Sequence, residues 1–210
     1  HDILTAEVLR RRLIPVEHPS PHENALKPFY HALATNMPQN RLVRVLHYGD
    51  SQIEGDRISS FLRRRLQGRF GGGGMGLLHA VPHSHQPVNV RQTNSSNWSK
   101  VLLSELPRGT VGYKFGVLGG YSEIVVPRRS QQRGGFNEAW IRFQRQGAHH
   151  LTARNFSQIK LFYGYNNEPF IASISYGESI HDAYMTPPTP KASELKWQAP
   201  IRFHNFQIDI

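Results

Sequence analysis

The second half of the chain alternates short apolar runs with turns, and this pattern constrains the fold more than any other feature. Between residues 88 and 210, Gly, Pro and Asn separate runs rich in β-branched and aromatic residues. The runs are VNVRQT, SKVLLSEL, TVGYKFGVL, SEIVVP, EAWIRFQRQ, SQIKLFYGY, FIASISYG, ELKWQA and IRFHNFQIDI. Many short strands of this kind predict an antiparallel all-β jelly roll or sandwich.

The first part of the chain has a different pattern, typical of helices around one strand. Residues 3–13 and 25–36 repeat apolar residues every three to four positions, which predicts two short helices. Residues 42–48, LVRVLHY, predict a buried strand, and residues 58–70 predict a helix with its apolar residues on one face. The change of pattern predicts two domains, 1–87 and 88–210, with a connection near His83 to Pro87.

Gly49, Asp50 and Ser51 form the turn between the predicted strand and the predicted helix. Strand, turn and helix make the unit of an α/β sheet, and such folds bind ligands where the strand ends. A serine there is a nucleophile if a base takes its proton and backbone N–H groups stabilise the oxyanion. Gly49 permits a tight turn, Ser51 offers its Oγ and its own N–H, and Asp50 is expected to hydrogen-bond the backbone of the turn.

Tyr48-Gly49-Asp50-Ser51-Gln52 after an apolar run resembles the first conserved block of the SGNH/GDSL hydrolases, and the fuller string HYGDSQIEGDRI at residues 47–58, with FGGGGMGL at residues 70–77, extends the resemblance. The likeness is greatest to bacterial exported members related to peptidoglycan O-acetylesterases. It implies α/β architecture, with a partial three-layer flavodoxin-like SGNH domain followed by an inserted β-sandwich that resembles a carbohydrate-binding module. It also implies that Ser51 is the catalytic nucleophile, supported by Asp50 and Gly49, and that no cofactor takes part.

The implied activity is removal of an acyl group, most plausibly acetyl, from a polysaccharide or a cell-wall glycan. The resemblance further implies an exported protein whose signal peptide has been removed. The alternative is a glycan-binding protein that keeps the Gly-Asp-Ser turn without catalysis.

Two further blocks of the SGNH/GDSL family are missing from this sequence. The family's acid and base lie in an Asp-x-x-His block, but no aspartate here is followed by histidine three positions later; the aspartates are Asp2, Asp50, Asp56, Asp182 and Asp209. The Gly-x-Asn-Asp block is also absent. We therefore expect these groups beyond Ile210 or on a separate chain, and we expect this chain alone to be inactive.

Composition excludes several other classes of site and partner. The chain has no cysteine, which rules out disulfides, thiolate metal sites and cysteine nucleophiles. Its net charge of +10 attracts polyanions, but no nucleic-acid-binding motif accompanies the basic clusters, so we expect no nucleic-acid partner. The sequence contains no run of about eighteen apolar residues, so we expect no transmembrane segment.

Three other groups of residues are candidate sites. The pattern of His79, His83 and His85 could ligate zinc, although no carboxylate lies close in sequence, so loop histidines are the simpler interpretation. His181 and Asp182 are predicted to lie on a loop rather than to form a catalytic pair. The glycines from Gly71 to Gly76 either donate to an oxyanion or form a turn after a helix.

Aromatic residues are frequent in the predicted β region, where they can build a core or stack on sugar rings. We expect two or three of them to be exposed for ligand. The set is Trp98, Tyr113, Tyr121, Trp140, Tyr163, Tyr165, Tyr176 and Trp197.

Overall fold

The computed structural model describes residues 25–36, 39, 41–82, 89–125, 138–146, 156–177 and 179–210. Within them lie three α-helices, α1 (Lys27–Asn36), α2 (Ser51–Glu54) and α3 (Arg57–Phe70), and a 3₁₀ turn at Leu103–Glu105. Nine strands follow: β1 (Val90–Asn94), β2 (Trp98–Leu102), β3 (Gly120–Ile124), β4 (Trp140–Arg145), β5 (Phe156–Asn166), β6 (Phe170–Tyr176), β7 (Ser179–Thr186), β8 (Thr189–Phe203) and β9 (Asn205–Asp209).

The chain divides into two compact units, His1–Val45 and Leu46–Ile210. In the first unit, α1 buries Leu33 and leaves most of its other residues exposed. The second unit contains α2, α3 and all nine of the described strands. No helix in the described part of the chain is long and apolar enough to cross a membrane.

Antiparallel pairing organises the second unit. Five strands form one sheet in the order β1-β4-β9-β6-β7, in which Ile208 of β9 pairs with Ile141 of β4 and with Ile174 of β6. The strands β5 and β8 form a long two-stranded sheet, and β2 pairs with β3. Strands with alternating burial, such as β9, turn one face to a core and the other to solvent.

A single apolar cluster joins the five-stranded sheet to the β5–β8 pair. Ile141, Ile174 and Ile208 are each at most 2 % exposed at its centre, and Trp197 of β8 is buried in the same cluster. Aromatic rings fill its end, where Phe206 stacks on Phe143 at 4.8 Å and meets Phe156 edge-on at 4.9 Å. Met75 and Val81 are also buried in this cluster, so the segment that follows α3 packs on the β-sheets.

The predicted fold class is wrong. We expected a partial three-layer flavodoxin-like α/β domain followed by an inserted jelly roll or sandwich, but the described residues form mostly antiparallel sheets, and no flavodoxin-like layer is present among them.

The predicted strand at 42–48 is not formed, and Leu42, Val45, Leu46 and Tyr48 are 57–76 % exposed. The physical reason is pairing. The nine described strands hydrogen-bond with one another, and none of them pairs with this segment.

Other local predictions are confirmed. The predicted helices at 25–36 and 58–70 correspond to α1 and α3, and most of the predicted runs after residue 88 correspond to strands. TVGYKFGVL forms no regular strand. The strand β7 was not predicted, because the apolar and polar residues of its sequence, SIHDAYMT, do not alternate. The predicted helix at 3–13 and the connection at His83 to Pro87 lie outside the described residues.

Truncation of the core isoleucine in β6 tests the importance of the shared cluster. Ile174→Ala should lower the free energy of unfolding by about 2–5 kcal/mol, because it removes a buried side chain and leaves a cavity. The matched control is Ile171→Ala in the same strand, where the side chain is 54 % exposed, and it should cost less than about 1 kcal/mol. Urea unfolding followed by circular dichroism gives both values, and equal losses would contradict the assigned core.

Candidate functional site

Asp50 holds the turn that presents Ser51. It is the N-cap of α2, with extended backbone angles, and its Oδ1 accepts a hydrogen bond of 2.9 Å from the Gln52 N–H. Its carbonyl accepts from the Ile53 N–H at 2.9 Å. A carboxylate in this position satisfies one of the free N–H groups at the start of a helix. Asp50 thus makes the backbone contact that its position in the sequence predicts.

Gly49 is required by the close approach of α2. A Cβ atom at this position would lie 2.5 Å from Cγ1 of Ile53, which is closer than real Cβ contacts. Any other residue would force the Ile53 side chain or the turn to move. Gly49 therefore keeps Asp50 and Ser51 at the start of α2.

Ser51 is exposed at the first position of α2. Its carbonyl accepts from the Gly55 N–H at 3.0 Å, but in the described part of the chain no hydrogen bond engages its Oγ or its N–H. The imidazole of His47 is directed to another serine, since its Nδ1 lies 3.3 Å from Oγ of Ser59. No base among the described residues hydrogen-bonds Ser51, and the source of its base stays a prediction.

Asp56 and Arg63 form an ion pair beneath this segment. Asp56 is buried and adopts the left-handed conformation, with a φ of 55°. Arg63 binds both of its carboxylate oxygens, at 2.8 Å and 3.2 Å, and its Nη1 also lies 3.8 Å from the Met75 sulfur. A bidentate pair of this geometry fixes the start of α3 relative to its middle. Asp56 is therefore a structural residue of this segment.

The glycine run after α3 is tied to that helix. Gly71, Gly72, Gly74 and Gly76 all have φ between 78° and 95°, which a glycine adopts at low cost. Gln67 of α3 donates from Nε2 to the Gly74 carbonyl at 3.0 Å. Within the described residues no hydrogen bond connects the run to Ser51, so its possible oxyanion role stays a prediction.

The histidine predictions have different outcomes. His83 and His85 lie outside the described residues, and in the part of the chain that is described no three His, Cys, Asp or Glu side chains group as metal ligands. The prediction that His181 and Asp182 lie on a loop is wrong, because both belong to β7. The His181 ring stacks on Tyr176 at 3.5 Å, and its Nε2 lies 2.8 Å from the Tyr176 carbonyl.

Among the described residues, Tyr121 has a pKa that its environment shifts. Its pKa is raised above the ordinary value of 10.0, mainly by burial and further by the negative charge of Glu123 and by Tyr113. The phenol is therefore neutral at physiological pH, which makes Tyr121 a poor candidate for a nucleophile or a base.

Two of the eight tryptophans and tyrosines named in the sequence analysis are exposed, and their use for ligand stays a prediction. Tyr113 is 48 % exposed and Tyr165 is 46 % exposed, whereas Trp197 is buried in the core. Tyr165 borders an open pocket of about 420 Å³ at one end of the β5–β8 pair. The sequence patterns do not predict this pocket, and the only local signals for it are the polar pair after Tyr165 and the proline-rich segment at the start of β8.

Comparison with known proteins gives no relative, since neither a protein-family model nor a curated protein matches this chain.

Neutralising Asp56 tests whether the buried ion pair stabilises the segment after Ser51. Asp56→Asn keeps the size of the side chain and tolerates the left-handed backbone, but it leaves the guanidinium of Arg63 without its charge partner. We expect a loss of about 1–3 kcal/mol in the free energy of unfolding. Glu194→Gln breaks the exposed pair with Lys160 and should cost less than about 1 kcal/mol. Urea unfolding of both variants measures the difference, which would vanish if the Asp56 pair were only superficial.

Proposed function

We propose that this chain carries the nucleophile of an exported serine esterase that removes an acyl group, acetyl above all, from a polysaccharide or cell-wall glycan. The observation that carries the proposal is the exposed Ser51 at the first position of α2, directly after the Asp50 cap. Its hydroxyl and its N–H both lie on a turn that Gly49 and Asp50 hold in place. The resemblance of residues 47–58 and 70–77 to the SGNH/GDSL hydrolases gives the reaction and the substrate class.

In this reaction Oγ of Ser51 attacks the ester carbonyl and forms a tetrahedral intermediate, and its proton passes to a base. The Ser51 N–H donates to the oxyanion that develops on the carbonyl oxygen. Collapse of the intermediate releases the sugar hydroxyl and leaves an acyl-serine, which water then hydrolyses. The Asp50 side chain does not act as the base, because it already accepts the Gln52 N–H and caps α2.

The base and the acid that orients it must come from outside the described residues, since none of those side chains hydrogen-bonds Oγ of Ser51. We propose that they lie on a C-terminal remainder of the same protein or on a separate chain, so that this chain alone does not turn over an ester.

Exposed arginines on α3 favour an anionic polymer as the substrate. Arg64 and Arg65 lie over the ring of Phe61, at 5.3 Å and 5.2 Å from its centre, and no carboxylate within the described part of the chain pairs with them.

A second candidate function is glycan binding without catalysis. The unengaged hydroxyl of Ser51 favours it, because a serine without a base is not an effective nucleophile. In this alternative, the open pocket beside Tyr165 on the β-sheets is the candidate glycan-binding site.

Ester turnover with and without the Ser51 hydroxyl decides between the two candidates. In a longer form of the protein, Ser51→Ala should abolish release of p-nitrophenol from p-nitrophenyl acetate, with a loss of at least about 100-fold. The 210-residue chain should show no turnover that depends on Ser51. Ser60→Ala serves as the control, because the Ser60 hydroxyl only donates to the Arg57 carbonyl within α3.

Turnover that Ser51→Ala does not change would remove the esterase proposal. If the protein binds glycan but neither the 210-residue chain nor a longer form turns over the ester, the non-catalytic alternative is favoured. Unfolding curves of the variants separate loss of chemistry from loss of fold.

A further inference from the structure

We infer that the pocket beside Tyr165 is a binding site for a pyranose unit of a glycan, separate from Ser51. Its volume of about 420 Å³ lies within the range of about 300–1,000 Å³ that is usual for small-molecule sites. It is lined by Tyr165, Asn166, Asn167, Pro188, Thr189 and Pro190. The choice of a sugar rests in part on the proposed function, which names a glycan, while the position of the site rests on the structure alone.

The backbone of β5 turns Tyr165 outward at this point. The register of β5 against β8 shifts between Gly164 and Asn166, and Tyr165 adopts a φ of 55°, which a tyrosine rarely does. Gly164 makes the shift possible, since a Cβ there would collide with the Lys191 carbonyl and lie 2.9 Å from Cα of Ala192. Backbone strain held in this way by its surroundings is characteristic of ligand-binding positions.

Asn166 hydrogen-bonds across the two walls of the pocket through its Nδ2, and its Oδ1 is an acceptor without a partner among the described residues. Its Nδ2 donates to the Glu168 carbonyl at 2.8 Å and to the Pro187 carbonyl at 3.2 Å, which fixes the orientation of the amide. Its Oδ1 is buried and accepts no hydrogen bond from the described residues. A buried acceptor of this kind is costly unless a donor reaches it. Oδ1 itself has almost no exposed area, so the inferred sugar contacts rest on Tyr165 and Asn167 rather than on this atom.

The chemistry of the lining matches a pyranose better than a charged ligand. The tyrosine ring and the two prolines present apolar faces, on which the C–H face of a sugar can stack. Asn167 is exposed and offers an amide to hydroxyl groups. None of the lining residues carries a charge. The Lys114 ammonium lies over one face of the Tyr165 ring, 4.6 Å from its centre, so a sugar would stack on the opposite face.

Proline residues limit the conformations of the segment that forms the second wall. Prolines at 188 and 190 restrict the backbone on either side of Thr189, and Thr189 is nearly buried and pairs with Asn166 across the two strands. A pre-formed wall of this kind loses little conformational entropy when a ligand binds. An open pocket for one sugar unit is expected to give a Kd of about 1 mM.

Saturation-transfer NMR with unesterified sugars tests the inference without any chemistry at Ser51. The ligands are cellotriose, xylotriose and triacetylchitotriose, each at about 10 mM, roughly tenfold above the expected Kd. At least one should bind, and Tyr165→Gly should weaken that binding by at least about tenfold. Glycine adopts the backbone conformation of this position freely, so the variant should unfold at no lower temperature than the parent chain.

Two controls keep the test decisive. Tyr30→Ala removes an exposed tyrosine that does not line the pocket, and it should leave binding unchanged. Ser51→Ala should also bind as the parent does, so that failure of the esterase proposal and failure of the sugar site give different results. If Tyr165→Gly proves unstable, Asn167→Ala replaces it, because Asn167 is exposed and its truncation leaves the sheets intact. No binding of any of the three sugars, or binding that neither pocket variant weakens, would overturn the inference.

Discussion

The apolar cluster between the five-stranded sheet and the β5–β8 pair is the interaction on which the rest of the second unit depends. A two-stranded ribbon is at best marginally stable in water, so β5 and β8 need the isoleucines of the larger sheet to cover their inner face. The same cluster takes in Met75 and Val81, and Arg63 of α3 contacts the Met75 sulfur. Through this chain of contacts, the segment with the candidate nucleophile is connected to the sheets.

Local features of this protein could be predicted from sequence because they depend on neighbouring residues alone. The Asp50 cap and the period of about 3.6 residues in α3 are of this kind, as are the alternating strands. The fold class depends on which strands find partners, and a run such as LVRVLHY does not encode its neighbours. That run is apolar enough for a parallel sheet, but the described strands pair with one another in antiparallel fashion and leave it exposed. The prediction of an α/β domain was therefore wrong because the strands pair differently from what was expected, although the apolar run itself is present.

The candidate site was accessible to sequence reasoning to the extent that its parts are adjacent in the chain. Gly49, Asp50 and Ser51 are consecutive, so the turn could be recognised from the sequence, whereas the position of a base for Ser51 stays a prediction. The pocket beside Tyr165 could not be predicted, because it joins the end of β5 to the start of β8, more than twenty residues later. Its strained tyrosine follows from a register shift and from the close approach of the Lys191 backbone, and neither leaves a local mark in the sequence.

The exposed segment at 42–48 has a consequence for how this chain behaves in solution. An extended apolar stretch with unpaired backbone groups can add to the same stretch of another molecule and begin aggregation. Arg41 directly precedes it and Arg44 interrupts it, and the chain as a whole carries a net charge of +10. Charges placed in this way act as gatekeepers, because molecules of the same sign repel one another before their strands can align. Since salt screens such repulsion beyond roughly 8 Å at physiological ionic strength, the colloidal stability of this chain depends on the salt concentration of its surroundings.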